Sequence, residues 1–126
     1  YDDFGHHPTE IKATTKALKA HTQGKLIVVF QPHRYTRTRD NFNDLSNSFE
    51  YSDLTLITDI YSAGEKPIPG VSSLMFESEK IKYVKSPRMV PPYLKNNISP
   101  GDTVLTIGAG DITLLGPQIL KYLNEN

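Results

Sequence analysis

Two periods alternate along this chain. Leu26-Ile27-Val28-Val29-Phe30, with Lys25 before it, is apolar on both faces, as a strand buried within a parallel sheet is. Leu54-Thr55-Leu56-Ile57-Thr58, Ile81-Lys82-Tyr83-Val84 and Thr103-Val104-Leu105-Thr106-Ile107 repeat that signal more weakly. Between these runs the spacing of apolar residues changes to three and four, the period of a helix with one buried face. Pro8 to Thr22 predicts the first helix, with Ile11, Thr15 and Leu18 as its stripe and Ala13, Ala17 and Ala20 alongside. Pro8 suits the first helical position, where its missing N–H would be unpaired anyway, and Gly24 suits a stop. A second helix is predicted over Arg39 to Phe49, with Phe42, Leu45 and Phe49 on one face. Shorter ones are predicted over Val71 to Lys80 and from Pro91-Pro92 to Asn96. Ile112, Leu115, Ile119 and Leu123 mark a last helix, in which Pro117 signals a late start or a kink.

Strands separated by helices, with connections long enough for right-handed crossovers, predict an α/β domain: an open, mostly parallel sheet with helices on both faces. Gly64, Pro67, Pro69 and Gly70 make the segment from Asp59 to Gly70 a loop, and Pro100-Gly101-Asp102 is a turn signal. The chain opens on polar residues and enters a helix at once, whereas an α/β unit starts with a strand. Tyr1-Asp2-Asp3 therefore reads as the carboxyl end of a first strand, the place where open α/β sheets hold ligands.

At 126 residues the chain makes one domain. Fourteen basic side chains balance fourteen acidic ones, so no net field draws the protein to nucleic acid or to anionic lipid. There is no cysteine, hence no disulfide, thiolate nucleophile or sulfur-ligated zinc. Leu26 to Phe30 is the longest apolar run, far short of the ~20 residues that span a bilayer. The first residues lack the basic-then-apolar order of a secretion signal. A start without methionine reads as a processed product or a piece of something longer.

Three clusters carry candidate chemistry, each directly after a predicted strand. In Asp2-Asp3-Phe4-Gly5-His6-His7-Pro8-Thr9-Glu10, carboxylates and imidazoles precede a helix amino terminus, whose partial positive charge and free N–H groups suit a phosphate. A carboxylate there suits ribose hydroxyls, whereas capping of the helix would use the same residues structurally. Adjacent histidines do not easily turn both rings to one ion, so no metal site is expected. In Phe30-Gln31-Pro32-His33-Arg34-Tyr35-Thr36-Arg37-Thr38-Arg39, three arginines fall within six residues with no glutamate beside them in sequence. A guanidinium grips a carboxylate or phosphate with two parallel bonds, and Arg34 and Arg37 with His33 suit such a clamp. Arg39 reads instead as a solvated partner of Asp40 or Asp44. The third cluster comprises Asp59-Ile60-Tyr61-Ser62-Ala63-Gly64-Glu65, where Asp59 and Glu65 face either an amine or solvent, and Gly108-Ala109-Gly110-Asp111. Those glycines are half of a dinucleotide fingerprint and suit close strand-to-helix packing. No phosphate loop, nucleophile elbow or H-E-x-x-H helix is present, so a site that only grips anions needs a partner to supply the reaction.

In this order and spacing, the four segments 2–10, 30–38, 59–65 and 108–111 together resemble the carboxyl-terminal domain of Mur ligases of peptidoglycan synthesis, on their L-alanine-adding branch. The resemblance spans the whole chain. It implies a Rossmann-like last domain of a bacterial cytoplasmic enzyme whose first domain binds UDP-N-acetylmuramate and whose central domain holds ATP and Mg2+. Neither of those domains lies in this chain. In such enzymes ATP phosphorylates the muramyl carboxylate, and the amine of L-alanine attacks the acyl phosphate. The last domain closes over the central one and brings the amino acid, and alone it is expected to be inactive and to hold no cofactor tightly. The resemblance implies Asp3 beside the nucleotide ribose and His6 near its terminal phosphate. It places His33, Arg34 and Arg37 around the amino acid and the Asp59–Glu65 loop in the same cleft.

One position departs from the pattern. L-alanine-adding ligases commonly carry tyrosine where this chain has Phe4, at the amino-acid pocket, and phenylalanine is more typical of the related ligase that recycles murein tripeptide. That relative lacks the His33-Arg34-Tyr35-Thr36-Arg37 pattern, which keeps L-alanine as the expected substrate. The competing expectation is a non-enzymatic α/β module that binds a nucleotide or a small carboxylate.

Overall fold

The structure, a computed structural model, describes residues 2–3 and 8–108. In chain order these form β1 (Asp2–Asp3), α1 (Pro8–His21), β2 (Leu26–Phe30), α2 (Tyr35–Asp40), α3 (Phe42–Asn47) and β3 (Leu54–Ile57). A 3-10 turn (Ser73–Phe76), β4 (Ile81–Tyr83), a second 3-10 turn (Pro87–Met89), α4 (Val90–Lys95) and β5 (Thr103–Ile107) follow. The strands lie in the order β1-β5-β2-β3-β4, and every neighbouring pair is parallel. The open parallel α/β sheet read from the sequence is therefore present, and the opening carboxylates are its first strand. The expected helix around Ile112 to Leu123 lies outside the described residues.

The sheet is apolar on both sides because each side has its own cover. Leu26, Val28 and Phe30 of β2 point to one face with Ile57, Ile81, Leu105 and Ile107, and are covered by Ile11 of α1, Leu45, Phe49 and Phe76. Ile27, Val29 and Leu56 point to the other, under Val90 and Leu94 of α4. Alternation of successive side chains across the sheet makes this division, and it explains why all five residues of β2 are buried. From β1 to β4 the chain winds one way with its helices on the first face. From β4 it returns over the second face through α4 and inserts β5 between β1 and β2, which keeps the crossovers right-handed.

Two helices differ from the sequence reading. The helix expected from Arg39 starts at Tyr35 and breaks at Asn41 (φ −111°, ψ 16°) into α2 and α3. The Asn41 side-chain amide and its backbone N–H both donate to the Arg37 carbonyl, each at 3.0 Å, and so close the last turn of α2. Phe49 lies beyond α3, still buried against Phe30. The helix expected over Val71 to Lys80 is only the 3-10 turn Ser73–Phe76. The buried Ser73 hydroxyl donates to the Thr58 carbonyl, Phe76 enters the core, and the exposed Glu77 to Lys80 offer no apolar position to carry a helix further. At the lower rim Gly24, three residues past the end of α1, serves a close approach of two backbones rather than the helix stop expected of it. Its N–H donates to the Gly101 carbonyl at 2.9 Å, and a Cβ there would collide with Asp102 Oδ1 and meet the Gly101 carbonyl carbon at 2.9 Å.

Candidate functional site

All strands end at one rim, and the candidate residues follow those ends. Asp3 closes β1 in register with Ile107 of β5, which is in register with Phe30 of β2. Two strand spacings separate the backbones of Asp3 and Phe30, about 10 Å. The strand end that carries Asp3 and the loop that starts after Phe30 thus lie at the same rim, with β5 between them. Phe4, His6 and the Gly110-Asp111 pair lie outside the described residues.

After Phe30 the chain is sewn to its neighbours before it turns into α2. The Gln31 N–H donates to the Ile107 carbonyl at 3.0 Å. The Tyr61 N–H donates to the Pro32 carbonyl and the Arg34 N–H to the Tyr61 carbonyl, both at 2.8 Å, so that His33 and Tyr61 form a parallel bridge beyond β2 and β3. Their rings stack with centroids 5.5 Å apart and 16° between planes. Arg34 then turns the chain at φ 69° and ψ 140°, a conformation that costs a non-glycine residue about 1–3 kcal/mol and persists only where its surroundings enforce it. The Thr38 N–H and hydroxyl both donate to the Arg34 carbonyl, at 3.1 and 2.7 Å, and lock the turn from the helix side.

This turn puts Arg34 at the start of α2 and Arg37 three residues on, with both side chains exposed. His33 stands close enough to feel them. Burial first, then the positive charges of Arg34 and Arg37, hold its imidazole below the usual histidine range, against an opposing pull from Glu65. The imidazole is therefore neutral at pH 7, and the positive charge of the loop resides on the guanidinium groups. Arg39 points elsewhere, onto Asp40 at 2.9 Å, as the sequence suggested.

The loop after β3 gives each of its two acids a hydroxyl partner. Glu65 is half-buried, and its carboxylate accepts the Thr36 N–H at 3.1 Å and the Thr36 hydroxyl at 2.6 Å. The arginine segment, without a glutamate beside it in sequence, thus acquires one in space. The Thr36 hydroxyl bond first, with further help from the Thr36 and Tyr35 N–H groups and the charge of Arg34, holds the Glu65 carboxyl below the usual range despite some burial. Asp59 accepts the Tyr83 hydroxyl of β4. Burial of the ring and the adjoining carboxylate push the Tyr83 phenol up to about 12. Asp59 also lines a cavity of about 330 Å³ with Gln31, Ile60, Tyr61, Ser62, Lys85 and Ser86, open at the same rim. Tyr61, which sequence reasoning passed over, joins the two loops by its backbone and its ring. The only local hint was an aromatic residue between two candidate acids.

Among the described residues no three histidine or acidic side chains converge as metal ligands, and no helix is long and apolar enough to cross a membrane. The rim carries two exposed guanidinium groups whose charges reach the His33 imidazole.

Comparison with known proteins identifies the family and the fold. Residues 1–110 match the family model described as the Mur ligase, glutamate ligase domain. Curated relatives include the UDP-N-acetylmuramate–L-alanine ligase of Pelotomaculum thermopropionicum, 46% identical across 99% of this chain, and that of Desulforamulus reducens, 40% identical across 98%. The chain spans only 29% and 28% of those two relatives. Among solved structures, a UDP-N-acetylmuramate–alanine ligase from Thermotoga maritima superposes on 98% of the chain with a TM-score of 0.67 at 21% identity, 26% of that protein being covered. A MurF ligase from the same organism, in complex with ADP, gives a TM-score of 0.70 at 18% identity, covering 98% of this chain and 28% of its own, and shares the fold. The matched segments include the rim loops from which the clamp was inferred, and this chain belongs to the Mur ligase family.

Proposed function

We propose that this chain is the amino-acid-presenting domain of an ATP-dependent ligase that joins L-alanine to UDP-N-acetylmuramate in the cytoplasm of a bacterium. The supporting observation is the rim itself: a cationic loop, held in a strained turn, in a chain 40–46% identical to ligases named for that reaction. Arg34 and Arg37 grip the carboxylate of L-alanine. The neutral His33 packs beside it, and Phe4 takes the place of the tyrosine common in this branch. Asp3 meets the ribose of the nucleotide, and His6 its terminal phosphate. ATP, when bound, supplies the phosphoryl group that activates the muramyl carboxylate. Its phosphates and magnesium would be held mainly by the central domain that the resemblance implies, with His6 reaching the terminal phosphate from this chain. Pinning the carboxylate of L-alanine orients its amine and leaves the nitrogen lone pair free to attack. Orientation of this kind is worth up to roughly 7–11 kcal/mol of barrier. Closure of this domain onto the central one makes the catalyst, and neither half suffices alone.

The test is steady-state kinetics of the full-length ligase. Arg37→Ala should raise the KM for L-alanine about 10- to 100-fold, the loss of one charge-assisted bidentate contact, with the KM for ATP unchanged. Arg37→Lys should recover little of it, because an ammonium cannot form two parallel bonds. An L-alanine KM that ignores Arg37 removes the clamp. Offering the murein tripeptide as the competing amine separates this ligase from the recycling one, which Phe4 resembles.

A further inference from the structure

The loop after β3 folds back on itself at Ala63 (φ 51°) and Gly64 (φ 89°), and the Glu65 N–H donates to the Ser62 carbonyl at 3.0 Å. That fold delivers the Glu65 carboxylate to the first turn of α2. A helix begins with N–H groups that have no partner within it, and a carboxylate both accepts from them and suits the positive end. Arg34, at the capping position, makes no such bond with its side chain. The acceptor is instead Glu65, 29 residues beyond Thr36, with one oxygen on the Thr36 N–H and the other on the Thr36 hydroxyl. Thr36 lies between Arg34 and Arg37, within the turn that sets the direction of both. The His33–Tyr61 bridge and ring stack seal the same seam one residue before the strained Arg34.

We propose that Glu65 is a positioning residue for the anion clamp, fixing the first turn of α2 and thereby the affinity for the amino-acid carboxylate without touching the amino acid. The inference rests on the clamp reading above. If the carboxylate is removed, the left-handed Arg34 loses one of the restraints that enforce it, and the competent arrangement is populated for only part of the time. Apparent affinity falls by that fraction.

Kinetics of the full-length ligase test this. Glu65→Ala should raise the KM for L-alanine about tenfold, the equivalent of one lost hydrogen bond to a charged group. The KM values for ATP and UDP-N-acetylmuramate should stay within about twofold, with kcat less affected. Glu65→Gln should restore most of the affinity, since an amide accepts the Thr36 N–H through its oxygen and donates to the Thr36 hydroxyl through its nitrogen. Thr36→Val, which deletes only the hydroxyl, should raise the KM about threefold, and it carries the test if Glu65→Ala fails to fold. Glu65→Gln as damaging as Glu65→Ala would mean that the charge, and not the hydrogen-bonded turn, sets the affinity, and would overturn the proposal. A lowered KM would mean that Glu65 competes for the arginines. An unchanged KM in Glu65→Ala or, where that variant does not fold, in Thr36→Val, or a rise shared by all three substrates, would likewise overturn the proposal. Arg37→Ala run in parallel separates the two claims. If it leaves the L-alanine KM alone, the clamp itself falls; if it raises that KM while the Glu65 and Thr36 variants do not, only the role of Glu65 falls.

Discussion

Phe30 is where the core hands over to the site, and Phe30→Ala measures what that junction is worth. The residue ends β2, is 1% exposed, and its ring meets that of Phe49 at 5.2 Å between centroids and 52° between planes. Its backbone bonds belong to the main chain and survive truncation: the Phe30 carbonyl still accepts the Thr58 N–H at 3.0 Å. Only side-chain burial is lost. A buried aromatic ring removes about 150–250 Å² from water, or ~4–6 kcal/mol at ~25 cal/mol per Å². Alanine keeps one carbon of that, and the cavity it leaves relaxes only partly, which gives an expected loss of ~3–5 kcal/mol. Against a typical domain stability of ~5–15 kcal/mol, that is a large share, equivalent to a fall in Tm of roughly 10–25 °C at this size. Urea unfolding of the chain followed by circular dichroism reads it directly, with the m-value checking that the unfolded state is unchanged. Phe30→Leu should lose less, because a branched aliphatic side chain keeps most of the buried surface. A loss below about 1 kcal/mol for Phe30→Ala would refute the packing argument, since a ring so enclosed cannot be removed at the cost of a surface substitution.

Asp53, at the opposite rim, ties three elements together: it accepts the Lys19 ammonium at 2.6 Å and the Leu26 N–H at 2.8 Å. Burial alone would raise its carboxyl, but the Lys19 hydrogen bond and the Leu26 N–H hold it below the usual range. Its contribution to stability is therefore complete above the ordinary carboxylate range and is lost as pH falls through the lowered value. Asp53→Asn should flatten the acid limb of a stability-against-pH curve, and an unaltered limb would contradict the linkage. Tyr83, pushed up to about 12 by its burial and by Asp59, should ionise well above the ordinary tyrosine range in an ultraviolet titration. Asp59→Asn should bring it back toward the ordinary value.

The strands were legible because β2 is apolar on both faces and its neighbours repeat that signal, so burial alone dictates them. The sheet's first strand was legible for a different reason. An α/β chain that enters α1 without a preceding strand needs one, and only Asp2 and Asp3 stand where its carboxyl end must be. What stayed hidden was made by partners distant in sequence. The start of α2 at Tyr35 depends on Glu65, and nothing within Arg34-Tyr35-Thr36 announces a helix. The role of Asp59 depends on Tyr83 in the same way. The helix expected over Val71 to Lys80 failed for the opposite cause: local propensity permitted it, but after Phe76 no further residue had a core to reach.

The same geometry explains why a clamp would be divided from the reaction it serves. Arg34 and Arg37 are exposed and no carboxylate bonds to their side chains among the described ion pairs, so each guanidinium is solvated. At 4 Å a carboxylate gains about 1 kcal/mol from a cation in bulk water, and about 4 kcal/mol at the effective dielectric of a partly closed protein surface. A second surface laid over the rim therefore strengthens the grip severalfold in energy without any change in the arginines. It also excludes the water that would hydrolyse an activated carboxyl. On this argument the isolated chain should hold L-alanine only weakly, at millimolar Kd or above, as judged by shifts of the His33 ring resonances during a titration. Addition of the remaining domains with nucleotide and sugar should tighten it. Micromolar binding by the isolated chain would show that the rim is complete on its own, and that closure supplies something other than a dry, low-dielectric surround for these two charges.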